Sequence, residues 1–150
     1  MENRVQKAVE LFKSGYNCSQ SVTAAFADLY GFTEEQALRM SASFGGGIGR
    51  MRETCGAACG LFILAGLQTG AIEGKDKEAK AQNYALVQEL AAIFKERNGA
   101  LICRELLELR KNTPVSSQPE ERTNQYYAKR PCLKIIEEAA QIWSEYLQKW

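Results

Sequence analysis

The chain has 150 residues, with 19 Lys and Arg against 18 Asp and Glu, five cysteines and no histidine. That length fits one domain, 1–150, which buries roughly two thirds of its unfolded surface without a metal or disulfide staple. The balanced charge offers no basic stripe for nucleic acid, and the missing histidine excludes Ser-His and Cys-His catalytic pairs as well as His-ligated metal and haem sites.

The opening segment, "MENRVQKAVELFKSG", scatters charge throughout and has no apolar signal core. Val5, Ala8, Val9 and Phe12 recur at helical spacing, and Gly15 ends that helix. In "NCSQSVTAAFADLYG", Asn17 reads as an N-cap with Gln20 at the capping-box position. "TEEQALRMSASF" starts a third helix at Thr33, with acids in its first turn that suit the helix dipole. A helix from about Cys55 to Thr69 is apolar nearly all round and should be the buried central element, with Ala57, Ala58, Gly60 and Gly66 permitting close approach by neighbours. Its apolar run, residues 57–67, is eleven residues long, short of the ~20 that span a bilayer. "DKEAKAQNYALVQELAAIFKERNG" is the longest helix, with Tyr84, Val87, Leu90, Ala91 and Phe94 as its stripe and Gly99 as its stop. "CRELLELRKN" makes a short helix, and the last begins after Pro131. No segment alternates as a strand. The expected fold is an all-α bundle of about six helices, with a long irregular loop over 112–130 where Pro114 and Pro119 interrupt any helical register.

Four of the five cysteines fall at expected helix starts. Cys18 follows Asn17, Cys55 follows Thr54, Cys132 follows Pro131, and Cys103 opens "CRELLEL" without a good capping residue before it. A helix N-terminus offers unpaired N–H groups and partial positive charge, which favour the thiolate, the reactive form. Arg50 and Arg52 add cations just before Cys55. The glycine-rich "GGGIGR" allows close backbone approach, so Gly46, Gly47, Gly49 and Arg50 are expected to seat an anionic group or ligand. It matches neither a phosphate-binding Walker loop nor a dinucleotide fingerprint. Cys55 is accordingly expected to be the most reactive thiol, with a pKa below the roughly 8.5 of a free cysteine. Cys59 shares a helical face with it, placed either to resolve an oxidised Cys55 or simply to pack.

"CGAACG", residues 55–60, resembles the C-G-A-x-x-G motif of the C_GCAxxG_C_C family of small proteins described as redox-active. The resemblance covers nearly the whole chain: Cys18 in "YNCSQSV" precedes the motif, and Cys103 and Cys132 follow it. The flanking "FGGGIGR" and "LAGLQTG" are similar as well. It implies a bacterial or archaeal protein working beside oxidoreductases or transporters, with Cys18, Cys55, Cys103 and Cys132 as the functional set. Cys59 falls at an unspecified position and takes no role from the family.

Three functions compete. The first is thiol–disulfide exchange with a partner protein or a small oxidant, with Cys55 attacking. The second is a four-cysteine metal centre, iron–sulfur or zinc, on Cys18, Cys55, Cys103 and Cys132; intervals of 37, 48 and 29 residues contain no compact CxxC unit, so the fold would have to assemble it. The third is a non-catalytic helical module that binds through a groove and the Tyr126–Tyr127 loop. All three are expected to be cytoplasmic, without membrane insertion, and leave room for a homo-oligomer.

Overall fold

The computed structural model describes residues 2–108, 114–124, 126 and 130–149. Its α-helices are α1 (Glu2–Lys13), α2 (Cys18–Ala24), α3 (Glu34–Ser41), α4 (Gly56–Thr69), α5 (Lys77–Asn98), α6 (Cys103–Leu106) and α7 (Cys132–Gln148), with single 3-10 turns at Ala27–Tyr30 and Ala42–Phe44. The fold is all-α.

Local chemistry sets most of these boundaries. Asn17 caps α2 and Thr33 caps α3 through reciprocal capping boxes with Gln20 and Gln36, each satisfying two backbone donors that the helix leaves orphaned. Asp76 caps α5, and Gly99 ends it in the left-handed conformation. At α4, Cys55 itself occupies the N-cap, so Thr54 does not cap that helix. Pro131 is the N-cap of α7, which begins directly after it, as expected. The short helix after Ile102 is only the four residues Cys103–Leu106; residues 109–112 of the expected "CRELLELRKN" helix lie outside the described residues.

α1 lies along α7, α2 along α4, and α4 packs on α5 and α7 as well. Phe12, Val22, Phe26, Leu61, Leu64, Leu90, Phe94, Ile136 and Trp143 form the fully buried centre, each contributing about 1.5–3 kcal/mol on leaving water. The stripe expected on α5 is shifted: Leu86, Leu90 and Phe94 are buried, whereas Tyr84 is 59% exposed. A half-apolar helix presents several candidate faces, and the packing of α4 and α7 selects among them.

The irregular excursion expected over 112–130 is present across residues 114–123, but Asn124 and Tyr126 are helical. Residues 112–113, 125 and 127–129, Tyr127 among them, lie outside the described residues. Arg122 ties this segment to the body by donating to the Phe12 and Tyr16 carbonyls at 2.7 and 3.0 Å, with its guanidinium 4.1 Å over the Phe12 ring.

Candidate functional site

The glycines of the "CGAACG" motif explain how α4 meets α2. A Cβ on Gly56 would stand 3.1 Å from Cys18 Cβ and 3.0 Å from the Phe44 carbonyl oxygen, and one on Gly60 would stand 2.9 Å from Val22 Cβ. These two positions, one turn apart, let the helices touch with little between their backbones. Cys55, at the start of α4, is thereby brought close to Cys18, at the start of α2. Gly66, expected to serve the same purpose, has no neighbour within 4 Å.

A backbone bridge brings in the third cysteine. Thr54 and Ile102 form an isolated antiparallel bridge. The Cys55 N–H donates to the Leu101 carbonyl at 2.8 Å, and the Cys103 N–H to the Glu53 carbonyl at 2.6 Å. This pairing joins the start of α6 to the start of α4. Two residues of extended chain are too short for a period-2 pattern, so the sequence gives no sign of it.

Ahead of the bridge runs a left-handed loop. Gly46, Gly47, Ile48, Gly49, Arg50 and Arg52 all have φ between 59° and 79°. For the three non-glycine residues this costs about 1–2 kcal/mol each. Hydrogen bonds from Arg52 N–H to the Gly46 carbonyl and from Glu53 N–H to the Gly47 carbonyl hold the turn closed. Only glycine fits at position 47, where a Cβ would stand 2.7 Å from both Cys103 Cβ and Arg52 Cα.

These elements and the start of α7 enclose a cavity of about 390 Å³. Cys18, Cys55, Cys103 and Cys132 all line it, as do Gly46, Gly47, Gly49 and Arg50. Cys59 does not; its thiol points back to the Thr54 carbonyl at 3.8 Å. Four arginines, Arg50, Arg52, Arg122 and Arg130, face a single carboxylate, Glu120. Arg50 is spent on the 114–124 segment, donating to the Ser116 and Gln118 carbonyls and pairing with Glu120. Arg130 pairs with the same carboxylate. Sequence reasoning missed Arg122, Arg130 and Glu120, and named Tyr126, which also lines the cavity, only as part of a binding loop. The signal was present in "EERTNQYYAKRPC", where cations precede Cys132 much as Arg50 and Arg52 precede Cys55.

The thiols are not equivalent. A hydrogen-bond-type interaction between the Cys18 and Cys132 thiols pulls Cys132 down, to about 7, helped by Arg130, Arg122 and Arg52, and pushes Cys18 well up, so Cys132 is the first of the two to ionise. Cys55 is the reverse of the expectation. It is 5% exposed, and burial pushes its thiol up to about 12 against the opposing pull of the Ala57 and Ala58 N–H groups, neither of which closes a capping bond to the sulfur. The cations expected beside it go elsewhere: Arg52 donates to Cys103 Sγ at 3.7 Å, and burial still raises Cys103.

All five cysteines are free. Among the described residues no three Cys, His, Asp or Glu side chains are gathered closely enough to hold a metal ion. The four thiols stand around the wall of the cavity, not on one point within it, so an iron–sulfur or zinc centre does not fit this arrangement. No described helix is long and apolar enough to cross a membrane. No curated protein and no solved structure matches the chain. A family model matches residues 16–146, which include all four cavity cysteines and the "CGAACG" segment, and the chain belongs to that family, described as "Putative redox-active protein (C_GCAxxG_C_C)".

Proposed function

We propose that the protein carries out thiol–disulfide exchange, with Cys132 as the attacking thiolate and Cys18 as the resolving thiol. The observation that supports this most directly is that Cys18 and Cys132 line one cavity together with Arg52, Arg122 and Arg130, at the starts of α2 and α7. A thiolate with a pKa near ambient pH combines a useful population with retained nucleophilicity. The redox character of the family supports the same class of chemistry.

The reaction runs in two displacements. Cys132 Sγ⁻ attacks one sulfur of an oxidised disulfide; the second sulfur leaves as a thiolate, and a mixed disulfide forms on Cys132. Cys18 then gives up its proton, which neutralises a departing thiolate, and its sulfur attacks Cys132 Sγ. The substrate's remaining sulfur leaves, so the substrate has gained two electrons and the protein holds a Cys18–Cys132 disulfide. Cys55 and Cys103, joined through the Thr54–Ile102 bridge, stand as a second dithiol on the same cavity to which that disulfide can pass.

Equilibration of the reduced protein in glutathione redox buffers, followed by acid quench, alkylation and peptide mass analysis, tests this reading. Cys18–Cys132 is expected as the first disulfide, and Cys18→Ser is expected to stop at a glutathione adduct on Cys132. A first adduct on Cys55, or no disulfide among the four, overturns the assignment.

A further inference from the structure

Resting on the exchange reading, the cavity also carries information about the oxidant. We propose that the disulfide substrate is a small molecule bearing a carboxylate or similar oxyanion, and that this anion binds to Arg52.

The cavity has the size of a small-molecule site. The cavity, about 390 Å³, is walled on one side by the 114–124 segment, which Arg122 ties to α1 and Arg50 holds across the loop. That volume is typical of small-molecule sites, and Cys18 and Cys132 are half-buried in its wall.

The cavity's lining is positively charged. Four arginines against one glutamate leave a positive excess in a chain whose overall charge is only +1. Burial is the main cause that lowers the Arg50 pKa; the charges of Arg52 and Arg130 lower it further, and Glu120 opposes them.

Arg52 stands apart from the other three arginines of the lining. Arg50, Arg122 and Arg130 are engaged by carbonyls or by Glu120. Arg52, among the described residues, has no carboxylate partner, and its one side-chain hydrogen bond is the long one to Cys103 Sγ. Its backbone is nevertheless held left-handed, at φ 63°, the sort of strain that persists where surrounding structure fixes a functional side chain. Beside it, the N–H groups of Gly46 and Gly47 are used by none of the loop's hydrogen bonds. A guanidinium and two consecutive left-handed N–H donors make an anion seat, with the fork geometry of arginine suited to a carboxylate.

The electron balance is that of the exchange reaction. The small disulfide is cleaved to two thiols, taking two electrons from Cys18 and Cys132, and its carboxylate is unchanged.

The test uses the reduced full chain and three small disulfides that differ in charge: 3,3′-dithiodipropionate, 2-hydroxyethyl disulfide and cystamine. The rate of Cys18–Cys132 disulfide formation is expected to fall in that order. The anionic probe should exceed the neutral one by about tenfold, equivalent to about 1.4 kcal/mol, at the low end for one charge-assisted contact. In Arg52→Gln the anionic-to-neutral ratio should collapse towards one, and Arg52→Lys should restore part of it. Taking the ratio cancels any change in Cys132 nucleophilicity. Equal rates for the three probes with the normal disulfide formed, or a ratio that survives Arg52→Gln, overturns the anion site and leaves the exchange reading standing. Failure of every probe to produce the disulfide overturns both.

Discussion

Burial and charge divide the cavity's thiols, and their balance differs at each sulfur. Cys55 has a helix start behind it, yet a partial dipole charge worth at most about 2 kcal/mol does not offset near-complete desolvation of a thiolate. Cys132 has a hydrogen-bond donor and three cations as well as its helix start. With the Cys132 thiol at about 7 and that of Cys59 at about 11, the thiolate fraction at pH 7 favours Cys132 by more than about a thousandfold. Lower intrinsic nucleophilicity takes back roughly two powers of ten. Iodoacetamide should therefore alkylate Cys132 on the order of tenfold to a hundredfold faster than Cys59 at pH 7. Its rate should climb as pH rises through about 7 and level off above 8. In Cys18→Ala that midpoint should move up towards an ordinary thiol, because the donor has gone; a midpoint that stays put shows that the arginines alone set it. The sequence pointed to the thiols but not to their ranking. Cation spacing is visible along the chain, whereas the burial of Cys55 and the contact between Cys18 and Cys132 belong to the tertiary structure.

The α2–α4 contact turns a six-residue motif into geometry. If Gly60 is there for close approach, alanine at that position costs stability even though alanine is the better helix former. Replacing Gly66 by alanine should stabilise by about 1 kcal/mol, since nothing stands within 4 Å and only helix propensity changes. Gly60→Ala should instead destabilise by about 1–2 kcal/mol. Its Cβ meets Val22 Cβ at 2.9 Å and the Ser19 carbonyl oxygen at 3.2 Å, and overpacking of about 1–3 kcal/mol outweighs the propensity gain. Urea midpoints at unchanged slope measure both. Equal, positive shifts in the two variants would show that α2 and α4 do not meet at Gly60. Elements whose causes are local were legible in the sequence: the Asn17–Gln20 box, the helix start at Thr33 and the Gly99 stop appear where the residues put them. The Thr54–Ile102 bridge and the shifted face of α5 are imposed by neighbours. No window of local sequence contains them.

At the scale of the molecule, the proposed Cys18–Cys132 disulfide links the first turn of α2 to the first turn of α7 and closes a loop over most of the chain. Removing that loop's entropy from the unfolded state stabilises the oxidised form by about 2–4 kcal/mol. The arginines oppose this by stabilising the reduced form, through the Cys132 thiolate, and the magnitude depends on pH. The folded-state pKa of Cys132 is lowered from 9.0 to about 7. The stability this confers on the reduced protein is fully present above 9 and is lost as pH falls through 7. At pH 7 it amounts to about 0.4 kcal/mol, and at pH 8.5 to about 2 kcal/mol. Loop closure therefore dominates at neutral pH, and the two effects approach balance in mild alkali. Urea unfolding with and without reductant should show the oxidised protein more stable by about 2–3 kcal/mol at pH 7. The gap should narrow by about 1.5 kcal/mol at pH 8.5. Because 1.4 kcal/mol corresponds to about 30 mV for a two-electron couple, the potential relative to the same disulfide in the unfolded chain should rise by about that amount over this interval. A gap that is constant with pH would mean that no cavity thiol has a lowered pKa in the reduced fold, and the choice of Cys132 as nucleophile would fall with it.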